Sequence, residues 1–82
     1  MQLTELNTRL ETLFRKVFRK PDLNLTRELT AQDVPGWDSI TNTELLAEVE
    51  SQFGIRFTLK EVRQMRNVGD LMDLLAAKLG VS

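Results

Sequence analysis

The sequence predicts an all-α fold: a small bundle of three main helices and one short helix, with a long ordered loop between the first and second helices. The N-terminal segment carries apolar side chains at helical spacing. Capping signatures recur before the later helices, and no run alternates polar and apolar residues as a half-buried strand would. A chain of 82 residues can build one modest core, so we expect a single domain over 1–82.

The first helix is predicted over residues 4–18. Its stripe consists of Leu3, Leu6, Leu10, Leu13, Phe14, Val17 and Phe18. Pro21 discourages continuation beyond this point. The cations at its end are Arg15, Lys16, Arg19 and Lys20. This basic cluster has two interpretations, compensation of the helix dipole and a patch that docks a partner.

Residues 20–37 lack sustained periodicity and are predicted to form the long loop. Their loop-forming residues include Pro21, Asn24, Pro35 and Gly36. Their apolar residues, which we expect to tie the loop to the core, are Leu23, Leu25, Leu29 and Val34. Thr30 and Asp33 have the spacing of a capping pair around one short turn. A long ordered loop of this kind is often functional.

The second helix is predicted to run from Ser39 to Gln52 or Phe53, with Gly54 as its left-handed terminator. The side predicted to be buried carries Leu45, Leu46, Val49 and Phe53. The opposite side carries Glu44, Ala47, Glu48 and Ser51. Ile40 falls with the outward set, which indicates either one apolar residue on a solvated face or the anchor of a docking surface beside acidic residues.

Two capping pairs predict the remaining helices. The pairs are Thr58 with Glu61, and Asn67 with Asp70. The first pair begins a short helix that we expect to extend through about Met65. The second pair begins the last helix, which Gly80 is expected to terminate.

The segment over residues 35–41 joins a Pro/Gly loop to a helix start. Asp38 is placed to cap the second helix, and Ser39 falls at its first position. Free amide groups and the positive end of a helix dipole favour a phosphate at such a point. The same two residues also make an ordinary helix start, so the pattern alone leaves both interpretations open. Trp37, the single tryptophan, is expected to pack over the loop and the start of the second helix, with its N–H reaching a partner or water.

Composition narrows the function classes. The chain has neither cysteine nor histidine, so it lacks the commonest general base and metal ligands, and we expect no metal site. The formal charge of −1 and the acidic second helix argue against a DNA-binding domain. Glu44 and Glu48 lie one helical turn apart, but on a solvated face they make a poor catalytic pair. The start of the chain resembles no signal peptide, and no apolar run is long enough to span a membrane, so a cytoplasmic protein is expected.

The chain as a whole resembles an acyl carrier protein. The elements that carry the resemblance are Gly36-Trp37-Asp38-Ser39-Ile40, Glu44-Leu45, Phe53-Gly54-Ile55 and Val68-Gly69-Asp70-Leu71. The first element is similar to the family's Asp-Ser-Leu attachment motif, and the others stand at the family's spacing from the serine. Four elements in register across most of the chain make the resemblance specific.

The resemblance implies a carrier rather than an enzyme. Ser39 would bear 4′-phosphopantetheine taken from coenzyme A by a phosphopantetheinyl transferase, and Asp38 would help to present it. The positions that partner enzymes would read are Ile40, Glu44, Ala47, Glu48 and Glu50. Part of an acyl chain would be sheltered by some of Leu46, Val49, Phe53, Val62, Met65, Leu71 and Leu75, although the same residues also suit a plain core. A monomer that receives acyl groups from acyl-activating or acyl-transferring enzymes is expected.

Several residues depart from the pattern of strongly acidic carriers of primary fatty-acid synthesis. Ile40 follows the serine in place of leucine, and the chain is nearly neutral. Further along the chain, neutral or basic residues also depart from the acidic pattern: Ser51, Gln52, Arg56, Arg63 and Arg66. They favour a specialised freestanding carrier in a fatty-acid, lipid or secondary-metabolite pathway. An aminoacyl or peptidyl carrier, and an unmodified adaptor that works by helix docking alone, are the alternatives.

Overall fold

The computed structural model describes residues 1–81, and within this range it contains helices and loops but no strand. The helices are α1 (Leu3–Phe18), α2 (Ser39–Phe53), α3 (Leu59–Gln64) and α4 (Val68–Leu79). The predicted bundle of three main helices and one short helix is confirmed, and the predicted boundaries agree to within one residue. None of these helices is both long enough and apolar enough to cross a bilayer.

The first helix, α1, supplies the largest share of the core. Its buried residues are Leu6, Leu10, Leu13, Phe14 and Phe18, which follow the predicted stripe. The helix ends at Arg19, which adopts the left-handed conformation with φ of 55°. A non-glycine residue costs about 1–2 kcal/mol in this region. The amides of Arg19 and Lys20 both donate to the Arg15 carbonyl, which closes the helix end and offsets that cost.

The long loop is fastened to the helices by polar contacts as well as by its apolar residues. The Leu25 amide donates to Glu11 Oε2 at 2.9 Å, and Arg15 Nε donates to the Leu23 carbonyl at 2.8 Å. Val34 is buried in the core. The Thr30–Asp33 turn forms as predicted, with the Asp33 carboxylate accepting hydrogen bonds from the backbone and hydroxyl of Thr30.

The predicted helix ends are confirmed for α2, α3 and α4. Gly54 and Gly80 both end their helices with φ of +66°. Thr58 and Glu61 form a complete capping box at the start of α3. The Asn67 side chain caps α4 by accepting a hydrogen bond from the Asp70 amide at 2.9 Å.

The core lies between α1 and the inner faces of α2 and α4. From these two helices it takes Leu45, Val49, Phe53, Val68, Leu71, Met72 and Leu75. Full burial of a side chain of this kind stabilises the fold by about 1.5–3 kcal/mol. The same packing brings the beginnings of α2 and α4 to opposite sides of one cavity.

Candidate functional site

The loop before α2 places Ser39 by a chain of short-range contacts. The Trp37 amide donates to the Val34 carbonyl at 3.1 Å, which forms a turn, and Gly36 adopts φ of +88° within it. A side chain at that φ would be strained, so glycine suits this corner. The turn delivers Asp38 in extended conformation to the cap position, and Ser39 is the first residue of α2.

Trp37 fixes the loop against α1, not only against α2. Its ring meets Phe14 edge-on at 5.4 Å between centroids, and it lies 5.5 Å from Phe18 in a tilted arrangement. Its indole N–H donates to Asn42 Oδ1 at 3.1 Å. The expectation that the ring packs over the loop and the start of α2 was therefore incomplete. The ring also packs on the two phenylalanines of α1.

A capping box closes the start of α2. The amides of Ile40 and Thr41 both donate to Asp38 Oδ1, at 2.9 and 3.0 Å. In return the Asp38 amide donates to Thr41 Oγ1 at 2.8 Å, and that hydroxyl donates to the Gly36 carbonyl at 2.7 Å. The hydrogen bond from the Thr41 amide is the main cause that lowers the pKa of Asp38 below its ordinary value. Asp38 is therefore a carboxylate at neutral pH.

This capping box corrects one expectation about Ser39. The amides of Ile40 and Thr41 are not free to bind a phosphate, because both already donate hydrogen bonds to the Asp38 carboxylate. The reason is the cap itself, which satisfies the helix start from within. The Ser39 side chain is nevertheless exposed. A group attached to its oxygen would project from the surface, next to a negative charge.

A cavity of about 300 Å³ opens beside Ser39, between the beginnings of α2 and α4 and the end of α3. Its lining residues are Ala31, Trp37, Asp38, Ser39, Asn42, Leu45, Leu46, Val62, Met65, Arg66, Asn67, Val68 and Leu71. An apolar floor with a polar rim is the usual composition of a small-molecule site, and this volume lies at the lower end of the range for such sites, about 300–1,000 Å³.

The cavity is lined by some of the residues that were predicted to shelter part of an acyl chain. Four of the seven candidates line it: Leu46, Val62, Met65 and Leu71. The other three, Val49, Phe53 and Leu75, lie in the core and not on the lining. The cavity sits at the N-terminal end of α2, and Val49 and Phe53 follow Ser39 by about three and four turns of helix, respectively.

The predicted partner-reading residues divide into two groups. Ile40, Glu44 and Ala47 are exposed, and Ile40 retains 71% of its accessible surface. Glu48 pairs with Lys16 of α1 at 3.3 Å, and the Glu50 carboxylate accepts a hydrogen bond from the Phe57 amide at 2.8 Å. Glu48 and Glu50 thus have partners within the protein, whereas Ile40, Glu44 and Ala47 are exposed.

The basic cluster at the end of α1 is partly engaged within the protein. Lys16 binds Glu48 as described, and Arg15 lies 3.3 Å from Glu11. Arg15 also donates to the loop, so this side chain acts as a structural clamp. Arg19 is exposed and serves as the left-handed residue that ends the helix.

Four residues that line the cavity were not predicted as site residues from the sequence. They are Ala31, Asn42, Arg66 and Asn67. The only available signal was the capping role of Asn67 and the position of Arg66 directly before it. Ala31 and Asn42 reach the rim through the path of the loop and the phase of α2, which carry no motif.

An exposed serine hydroxyl beside a small apolar cavity fits a flexible prosthetic arm, and the comparisons with known proteins agree with this geometry. The profile of the family described as "Phosphopantetheine attachment site" matches residues 8–75. An acyl carrier protein of Acidothermus cellulolyticus is 29% identical over 72 residues, which cover 88% of this chain and 86% of that one. The solution NMR structure of holo acyl carrier protein from Geobacter metallireducens superposes with a TM-score of 0.85 at 40% identity, over 89% of this chain and 84% of that chain. The chain therefore belongs to the acyl carrier protein family: it is a non-catalytic carrier that holds acyl groups on a covalently attached 4′-phosphopantetheine arm.

Proposed function

We propose that Ser39 is the residue that bears the arm and that this chain is a substrate of a phosphopantetheinyl transferase. The observation that carries the proposal is the exposed Ser39 hydroxyl at the first position of α2, on the rim of the cavity. In the transfer, the Ser39 oxygen forms a bond to the phosphorus next to the pantetheine of coenzyme A. The bond to the nucleotide portion breaks, and the hydroxyl proton passes to a base of the transferase.

The arm would supply the thiol that this chain lacks. With no cysteine in the sequence, a thioester to the cargo has to be made on the prosthetic group. The tether then keeps the cargo at high effective concentration for successive enzymes. Leu46, Val62, Met65 and Leu71 provide the apolar floor on which part of an acyl chain would rest. Fatty-acid, lipid and secondary-metabolite pathways all use this chemistry, and the expected cytoplasmic location stays a prediction.

Modification of Ser39 is tested by intact-mass analysis after co-expression with a broad-specificity phosphopantetheinyl transferase. Ser51 offers a matched control, because it is an exposed serine on the same helix. The wild-type chain and Ser51→Ala should each gain the mass of one phosphopantetheine group, whereas Ser39→Ala should gain none. All three should keep the same helical circular dichroism. Unchanged mass of the wild-type chain, or full modification of Ser39→Ala, would contradict the assignment.

We also propose that partner enzymes dock on the start of α2, through Ile40, Glu44 and Ala47. A partner that reads this surface needs an apolar pocket for Ile40 and a cation for Glu44. Leu59 provides the control, because it is similarly exposed, at 64%, but lies on α3. Ile40→Ala should lower kcat/KM for loading by the transferase by roughly 5- to 30-fold, the equivalent of about 1–2 kcal/mol. Leu59→Ala should change it little, and equal effects of the two variants would count against this surface.

The unmodified adaptor is the alternative that these variants separate from the carrier. An adaptor would bind its partner through the same helix whether or not Ser39 is present. Ser39→Ala would then keep the adaptor's full activity, which is binding to its partner. A carrier would lose its activity completely with this variant, because no cargo is attached.

A further inference from the structure

The rim of the Ser39 cavity holds one cation and one carboxylate among its described lining residues. The carboxylate is Asp38, and the cation is Arg66, which directly precedes the cap of α4. The attachment proposed above would add a phosphodiester, and so a second negative charge, beside Asp38. The amides of Ile40 and Thr41 cannot offset that charge, because both already donate their hydrogen bonds to Asp38.

Arg66 forms an exposed ion pair with Asp70, and 84% of the Arg66 side chain stays accessible to solvent. Its backbone amide donates to Asp70 Oδ2 at 2.9 Å, and its Nε donates to the same oxygen at 3.2 Å. Asp70 is itself positioned in the first turn of α4, where its amide donates to the Asn67 side chain. The hydrogen bonds of Arg66 within residues 1–81 thus use Nε and leave the terminal nitrogens of the guanidinium unused. Those two nitrogens carry four of the five side-chain N–H donors of an arginine.

We propose that Arg66 binds an anion on the arm of Ser39, either its phosphodiester or a carboxylate at the end of the acyl cargo. The proposal rests on attachment at Ser39. A guanidinium fork matches both phosphate and carboxylate oxygens, so the chemistry is the same for the two sources. The phosphodiester is the source that the geometry favours, because it is bonded directly to the Ser39 oxygen on the same rim. A cargo carboxylate lies at the far end of a flexible chain.

The test compares Arg66→Gln with Arg63→Gln in four forms of the protein. Arg63 is an exposed arginine of α3 that does not line the cavity, which makes it a matched control. The forms are the unmodified chain and the chains loaded from coenzyme A, butyryl-coenzyme A and succinyl-coenzyme A. Butyryl and succinyl groups have the same chain length and differ in the terminal carboxylate. Intact mass verifies each form, and the melting temperature is then measured at low and at high salt.

Arg66→Gln should lower the melting temperature of the arm-bearing forms by roughly 1–5 °C more than that of the unmodified chain. This excess should shrink at high salt, because exposed charge pairs are screened. An equal excess in all three loaded forms identifies the phosphodiester. An excess with succinyl alone identifies the cargo carboxylate.

The same shift in all four forms, or an equal excess for Arg63→Gln, would overturn the role of Arg66. A wild-type chain whose mass does not change in the loading reaction would instead overturn attachment, and the Arg66 proposal with it. The mass measurement therefore separates the two failures. Circular dichroism of both variants checks that each remains helical before melting.

Discussion

The beginnings of α2 and α4 line one cavity, and both carry a side-chain cap in the sequence. They differ in what covers them. Each has a side-chain cap, Asp38 in α2 and Asn67 in α4. The first helical residue is the exposed Ser39 in one case and the fully buried Val68 in the other. A cap signature therefore predicts where a helix begins, but not whether its first residue is available for chemistry.

The difference arises from how the free amides of each helix are satisfied. In α4, the amides of Val68 and Gly69 donate to the carbonyls of Leu29 and Arg27, at 2.9 and 2.8 Å. The long loop therefore lies directly on this helix start and buries it. In α2, the Asp38 carboxylate satisfies two amides from within, so the start needs no cover and can stay in solvent. The start of α2 is therefore capped by its own Asp38 side chain and is not covered by the loop, and Ser39 is exposed.

The largest effect on stability is expected from exchanging the first residues of the two helices. Val68→Ser removes a fully buried side chain and buries a hydroxyl, which should lower the free energy of unfolding by about 2–4 kcal/mol. Ser39→Val should change it by less than about 0.5 kcal/mol, because the side chain is exposed. Urea denaturation measures both. The buried serine should also accept no arm in a Val68→Ser, Ser39→Val double variant, and a gain of mass there would show that exposure does not decide attachment.

The second residues of the two helices differ in the same way, since Ile40 is exposed and Gly69 is buried. A Cβ added to Gly69 would lie 3.1 Å from the Arg27 carbonyl oxygen. Gly69→Val should therefore overpack the joint between loop and helix and cost about 1–3 kcal/mol. Ile40→Val, at the exposed equivalent position, should stay within about 0.5 kcal/mol of wild type. If Gly69→Val were equally well tolerated in urea denaturation, the loop would not be closely packed on α4.

The smallest effect concerns the charge of the caps, since Asp38 titrates and Asn67 does not. The folded-state pKa of Asp38 lies below the ordinary 3.8, so its ionised cap contributes stability above that pH. The contribution is lost as the pH falls through the lowered value. The amide resonances of Ile40 and Thr41, followed by NMR into the acid range, should move with a midpoint below 3.8. Asp38→Asn should abolish this titration, and a midpoint above 3.8 in the wild type would contradict the cap geometry.

Much of the fold was predictable because its signals are local. The capping pairs, the terminating glycines and the stripe of α1 each lie within a few residues of the structure that they specify. The left-handed Arg19 was not predictable, since nothing in its neighbours distinguishes it from a residue of the following loop. The same holds for the seat of Trp37 on Phe14 and Phe18, which depends on how the loop folds back over α1.

The candidate site was predictable at its centre and less so at its edges. The helix phase correctly placed Ile40 outward, and the cap pattern placed Ser39 at the first position of α2. Periodicity could not separate lining residues such as Leu46 from core residues such as Val49, because both lie on the inner side of one helix. Arg66 was missed as a rim residue because its place on the cavity depends on the turn between α3 and α4.

Peptide mapping of the wild-type protein is the most direct test of attachment at Ser39. After loading by a transferase, the chain is digested and the attached group is located by tandem mass spectrometry. The whole added mass is expected on Ser39, one of three serines in the sequence. Attachment at either of the other two serines, or no attachment at all, would contradict it.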